Sequence, residues 1–376
     1  MLNRSMFNRG LGMQLRTGAL LACAISLAGL TACGGSSIFG GSGSPTHNAY
    51  VTATESGVYA YRIESNTGKF TPVLGSPFPG GNSPASIQSL PSRNLLYVAN
   101  TADSTISLFN VNSTSGALTE VLPRTSTGLT PVSILVNSAG TLLFSVNQIS
   151  SDISVFSIDS GTGALKPVSG SPFPVTPRPV SAAITPSGNF LYVNNPNLSL
   201  IYAYSISSSG ALQSATGSPF AAITGTLGMT IDPAGKFLFA ANSSANTVSV
   251  FSINGSTGAL IPAPESPFTV GTSPISVAVS IDSNYLYVAN LGSSNIYAFS
   301  IASNGVLTQL TGSPYGAGTE PVFVTTDPSG KFVYAGDQSG NTITEFSVDT
   351  GSGELTNTGF TATMAASPSS MSVWPQ

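Results

Sequence analysis

One aromatic position recurs through the chain at an almost fixed interval. It is Tyr50, Tyr97, Phe144, Tyr192, Phe239, Tyr287 and Tyr334, set in segments such as Leu-Tyr-Val-Ala-Asn, and the successive gaps are 47, 47, 48, 47, 48 and 47 residues. A period of this size marks a repeat architecture, in which no unit buries its apolar face alone and neighbours share one continuous core. It overrides the two or three domains that 376 residues would otherwise suggest.

Each unit reads as four short strands. The first is a run such as Ile275 to Val279, and a turn such as Asp327-Pro328-Ser329-Gly330 leads to a second such as Phe332 to Ala335. A third run resembles Ile296 to Ile301, and a fourth resembles Leu165 to Val168. The runs are β-branched or aromatic and are bounded by Gly, Pro, Asn and Asp, while no helical apolar period survives beyond a turn. The last hairpin carries a glycine at 68, 116, 163, 210, 258, 305 and 353. A glycine at the same place in every unit implies a backbone with φ above zero. The first and second strands are apolar at nearly every position, as expected where one sheet is sandwiched between two others.

The chain ends say how the units close. The first unit, from Tyr50, lacks a first strand, and Pro368 to Trp374 is a lone first strand. Its Pro368 continues the series Pro84, Pro131, Pro179, Thr226, Pro274 and Pro321. The expected fold is all-β: a seven-bladed β-propeller with four antiparallel strands per blade, closed by the C-terminal strand completing the N-terminal blade. Closure leaves no open sheet edge.

Only 7% of residues are charged, against roughly 25% in an average domain. Arg4, Arg9 and Arg16 precede the repeats, leaving 8 basic residues against 15 acidic from Cys33 onward. With no basic stripe, nucleic acid is not an expected partner. Residues 18–32 form an apolar run too short to span a bilayer comfortably and end in Leu30-Thr31-Ala32-Cys33. That ending resembles the lipobox of bacterial lipoproteins, which implies a signal peptide over 1–32 and lipidation of Cys33. Residues 33–48 then read as the lipidated Cys and a flexible Gly/Ser tether, and 49–376 as the propeller. The expected location is the cell envelope, anchored to the membrane. Gly34, where an aspartate would resemble an inner-membrane retention signal, points to the outer membrane of a two-membrane cell. Cys23 would be removed with the signal peptide, so the mature domain has no free thiol.

The repeated Asp-Pro-Ser-Gly-Lys-Phe-Val-Tyr, Tyr-Leu-Tyr-Val-Ala-Asn, Val-Ser-Val-Phe-Ser-Ile, Thr-Gly-Ala-Leu and Gly-Ser-Pro-Phe resemble the lactonase family of seven-bladed propellers. That family includes 6-phosphogluconolactonase and carboxy-muconate cyclase, and the same pieces resemble Tyr-Val-Thr-Asn-type surface propellers. The resemblance implies a lactone hydrolase. In the family, Pro-Arg-His enters an inner strand and further His, Arg and Glu surround the channel. The matching entries here are Pro131-Val132-Ser133, Pro274-Ile275-Ser276 and Pro321-Val322-Phe323. The sole histidine, His47, falls in the segment read as tether and is expected to be a solvated linker residue.

Asn100, Asn147, Asn195, Asn242, Asn290 and Asp337 end successive second strands. Each could bond its own turn backbone, or together they could form a polar rim for neutral sugars or peptides. Arg178 and Glu320 precede Pro179 and Pro321 at strand entries. Asp337 with Glu320 is the first choice for acid–base work or a cation, being the carboxylates at the two ends of one inner hairpin. No metal site or cofactor is expected, and a monomer is. Two functions follow: a binding or scaffold module for neutral glycan or an envelope protein, or a hydrolase of an unphosphorylated lactone. A purely structural spacer is a third.

Overall fold

The computed structural model describes residues 46–374 apart from Ser56. The signal segment, Cys33 and most of the tether lie outside the described residues. Seven antiparallel sheets follow one another along the chain. The second blade is representative: Pro84–Leu90, Leu95–Asn100, Thr105–Val111 and Leu118–Ser126, paired in that order. The first strands of successive blades touch one another all the way around, from Pro84–Leu90 through Pro321–Thr326 to Pro368–Val373 and back. They form the inner ring. One turn of 3-10 helix, Pro91–Arg93, interrupts the strands, and among the described residues no helix is long and apolar enough to cross a membrane.

Both faces of each sheet are covered. In the strand Leu95–Asn100 all six residues are buried. Leu96 and Val98 pack toward the first blade, while Leu95, Tyr97 and Ala99 pack toward the third. The pleat sends alternate residues to opposite faces, so a continuous apolar run is the signature of a strand with two dry sides. The core accordingly divides into seven apolar clusters, one at each junction between neighbouring blades.

Polar atoms stitch the blades together at fixed offsets. The hydroxyls of Tyr50, Tyr97, Tyr192 and Tyr287 donate to the carbonyls of Gly116, Gly163, Gly258 and Gly353 in the next blade, at 3.1, 2.8, 2.9 and 3.1 Å. Those glycines have φ of 75–76°, in the region where a side chain is disfavoured. The Ser of the Ser-Pro-Phe motif has a similar task. Ser76, Ser171, Ser218, Ser266 and Ser313 each accept a third-strand amide at 2.9 Å. This interrupts the outer edge, so the third to sixth blades carry it in two pieces, such as Leu165–Pro167 and Phe173–Pro174. The second and seventh blades lack that serine, and their outer strands, Leu118–Ser126 and Leu355–Thr363, run on for nine residues.

The ring closes where expected. Ala49 to Thr52 pair with Val373 to Ser370, and the Trp374 amide donates to the Asn48 carbonyl at 2.7 Å. The domain begins earlier than the composition suggested. Thr46, His47 and Asn48 pair with Glu64, Ile63 and Arg62 as part of the strand Thr46–Ala53. His47 is therefore not a solvated linker residue. It is 6% exposed, and its Nε2 lies 3.1 Å from Asp327 Oδ2 in the last blade. The Gly/Ser composition before it concealed a strand in which His47 is paired with a residue 16 positions on, Ile63.

Candidate functional site

The seven inner strands read Pro-Ala-Ser-Ile-Gln-Ser-Leu, Pro-Val-Ser-Ile-Leu-Val, Ala-Ala-Ile, Thr-Leu-Gly-Met-Thr-Ile, Pro-Ile-Ser-Val-Ala-Val, Pro-Val-Phe-Val-Thr-Thr and Pro-Ser-Ser-Met-Ser-Val. None carries Asp, Glu, Lys, Arg or His. Their hydroxyls brace the ring instead: Ser86 and Ser276 accept the amides of Ile134 and Val324 from the next inner strand at 3.1 and 3.2 Å. Ser369 donates to the Pro84 carbonyl at 2.7 Å, and Ser372 to Ser89 at 2.8 Å.

The Asx series does not form a polar rim. Asn100, Asn147, Asn195, Asn242, Asn290 and Asp337 are all 0–1% exposed. Asn100 donates to Thr105 and Ser107 at 3.1 and 2.9 Å, and Asn242 donates to Thr247 and Ser249 at the same distances. Asn147 donates to Asp152 and Ser154 at 2.6 and 2.9 Å, and Asn290 to Asn295 at 3.0 Å. Asn195 alone follows the turn-capping pattern, accepting the amides of Asn197 and Leu198 at 3.0 Å. The side chain at this pleat position turns inward onto the third strand. Gly81, Gly271 and Gly318 make room for it, since a Cβ on any of them would collide with Asn100, Asn290 or Asp337.

Asp337 occupies the same niche. Thr344 and Thr342 donate to its Oδ2 at 2.6 and 3.2 Å, and burial pushes its carboxyl up to about 6. Glu320 lies one residue from Pro321, the cross-strand partner of Asp337, but its carboxylate accepts from Ser339. No hydrogen bond among the described residues joins the two acids. Arg178 is exposed, with φ of 54°. Arg178 and Glu320 fall at a position before a proline that is left-handed in three other blades too, at Ser83, Thr130 and Ser273. Their conformation thus belongs to the repeat. Among the described residues no group of three or more His, Cys, Asp or Glu could hold a metal ion.

The densest ionic cluster among the described residues was not anticipated. In the second blade, Arg124 Nε donates to Glu120 Oε1 at 2.7 Å, and its Nη1 lies 3.6 Å from Asp103 Oδ2. Asn82 donates to both Asp103 oxygens at 2.8 Å, from its amide and its side chain. These bonds, the backbone one foremost, hold the Asp103 carboxyl below its ordinary range. Ser107 links the cluster inward, donating to Glu120 at 2.6 Å while accepting from Asn100. Asn82, Asp103, Thr105, Leu122, Pro123 and Arg124 line an open groove of about 800 Å³. A sequence signal existed: this blade has Val121-Leu122-Pro123-Arg124 where five others keep Ser-Pro followed by an aromatic.

A closed ring of seven four-stranded blades, with inner strands free of ionisable side chains, defines the class of protein. The family follows from the matching family model, described as lactonase, 7-bladed beta-propeller, which covers residues 44–182, 172–273 and 261–373. The chain belongs to that family. Among solved structures it is similar to a Bacteroides fragilis protein provisionally named a 6-phosphogluconolactonase, with 21% identity, a TM-score of 0.76, and 88% of this chain and 98% of that one covered. It is also similar to a periplasmic gluconolactonase from Pseudomonas aeruginosa, with 18% identity, a TM-score of 0.74, and 88% and 99% covered. At these identities the likeness establishes the fold. No curated protein matches the chain.

Proposed function

We propose that this protein is a lipid-anchored propeller of the cell envelope that binds a neutral, hydroxyl-rich ligand, a glycan, rather than hydrolysing a phosphorylated lactone. The observation that carries this reading is the inner ring without a single ionisable side chain. Hydrolysis of a lactone needs a general base within hydrogen-bond reach of water, and a phosphate needs cationic donors. The groove of the second blade offers complementary chemistry for a sugar: carboxylate and guanidinium groups for vicinal hydroxyls, and Leu122, 68% exposed, for a C–H face. The anchor rests on the lipobox-like Leu30-Thr31-Ala32-Cys33 and is checked by mass spectrometry of the mature N-terminus.

The test pairs a neutral-glycan array with a panel of phosphorylated and unphosphorylated lactones. Glycan binding weakened about tenfold or more by Arg124→Ala, about 1.4 kcal/mol, with no lactone turnover, supports the reading. Turnover that disappears in Glu320→Gln or Asp337→Asn overturns it in favour of a lactonase.

A further inference from the structure

The junction between the seventh blade and the first differs chemically from the other six. At the third-strand position directly across from the repeating aromatic, six blades place Ala60, Leu108, Val155, Ala203, Val250 and Ala298. The seventh places Glu345, opposite Tyr334. Glu345 is fully buried, and neither carboxylate oxygen has a hydrogen-bond partner. The carboxylate fills the space a Cβ on Gly68 would need, against the tip of the first blade's 64–69 hairpin. The bond made by four tyrosines to the next blade's hairpin glycine is missing here, and the Tyr334 hydroxyl is unpartnered.

Among the described residues no cation acts on the Glu345 carboxyl. From the turn before the second strand comes Asp327, whose charge acts on both Glu345 and Tyr334. Burial alone would raise Asp327, but hydrogen bonds from His47 and Ser329 outweigh it and hold that carboxyl low. The first blade's strand contributes His47, whose Nε2 is engaged by Asp327 and whose Nδ1 lies 3.4 Å from Ser65 Oγ. The hairpin contributes Glu64 and Lys69 at its surface, with Glu64 accepting from Thr67. The outer strand brings Thr358, whose hydroxyl donates to the Glu345 carbonyl at 3.3 Å and, lying beside the carboxyl, opposes part of the effect of burial.

We propose that this junction is a proton-operated latch: with Glu345 neutral, the first blade's hairpin stays closed on the seventh blade, and ionisation of Glu345 releases it. A neutral carboxyl tolerates the apolar niche, whereas a carboxylate with no cation and at most the Thr358 hydroxyl beside it is driven toward water. The direction is fixed by linkage. Burial pushes the Glu345 carboxyl up to about 7, above its value in the unfolded chain. The folded junction therefore holds the proton more tightly, and its stability declines as pH rises through the range between the two values.

Hydrogen–deuterium exchange on the whole protein reads the latch locally. After correction for the intrinsic pH dependence of exchange, peptides over 46–70 should exchange about tenfold or more faster at about pH 8 than at about pH 5.5, and less than about twofold faster in Glu345→Gln. Peptides from the third to fifth blades should not respond. Asp337→Asn should leave the 46–70 response intact, separating the second buried acid of that blade. An identical pH response in wild type and Glu345→Gln would overturn the proposal. Should that variant not fold, a ¹³C carboxyl titration of Glu345 in the wild type decides it: a midpoint below about 5 sinks the latch.

Discussion

Asp337 stands where five other blades place asparagine, in a niche shaped for a side chain that donates. Asparagine at this position gives hydrogen to third-strand hydroxyls, as Asn242 does to Thr247 and Ser249. A carboxylate can only accept, and its burial raises its proton affinity. Because the folded value of about 6 exceeds the unfolded one, this acid subtracts stability as pH climbs from roughly 4 to roughly 6, and the penalty stays constant above that. Asp337→Asn should stabilise the protein by about 1–3 kcal/mol at neutral pH. The gain should shrink toward acid pH, as followed by urea unfolding at two pH values. The series itself was visible from spacing alone. Its burial was not, because spacing does not say whether a residue at a strand end turns inward or toward solvent.

The hairpins show two elements from different blades fitted to each other. Turns of six residues, such as Asn112 to Ala117, face a tyrosine in the preceding blade, and four of those tyrosines reach the turn glycine. The two turns of five residues, Ser207 to Ala211 and Ala302 to Val306, carry Gly210 and Gly305, the positions that correspond to Phe144 and Phe239. The hydroxyl is present where the longer turn presents a carbonyl and absent where the turn is short. Tyr97→Phe should therefore cost about 1 kcal/mol in chemical denaturation. Phe144→Tyr should not be its mirror image. It buries a hydroxyl with no acceptor and should destabilise by about 1–3 kcal/mol, and lengthening the Ser207–Ala211 turn by one residue should recover part of the loss. Both halves of this match lie in the sequence, 66 residues apart, but only the packing of adjacent blades shows that they belong together.

At the scale of the molecule, the last strand is what makes seven sheets a ring. Met371, Val373 and Trp374 are all buried, and each such side chain contributes about 1.5–3 kcal/mol. Their sum rivals the whole stability of a typical domain, about 5–15 kcal/mol. Deleting residues 368–376 should abolish the single cooperative thermal transition and expose the strand Thr46–Ala53 as an edge prone to association. Calorimetry and light scattering would register both effects.

The period of 47 to 48 residues, the doubly apolar strands and the split first unit were enough to determine blade number, strand order and closure. They are enough because burying both faces of a short sheet has few solutions once equal units repeat. Tertiary structure decided the rest, because each remaining feature depends on what lies across a junction. His47 became a buried partner of Asp327, since a strand drew it in. Arg124, Glu120, Asp103 and Asn82 converged from two turns and a strand into one cluster. Glu345 was one letter at a position apolar in six blades, and its meaning came from closing the seventh blade onto the first. Local pattern carries information about a residue's own strand, whereas charge, burial and partners are properties of surfaces that only meet when the ring is shut.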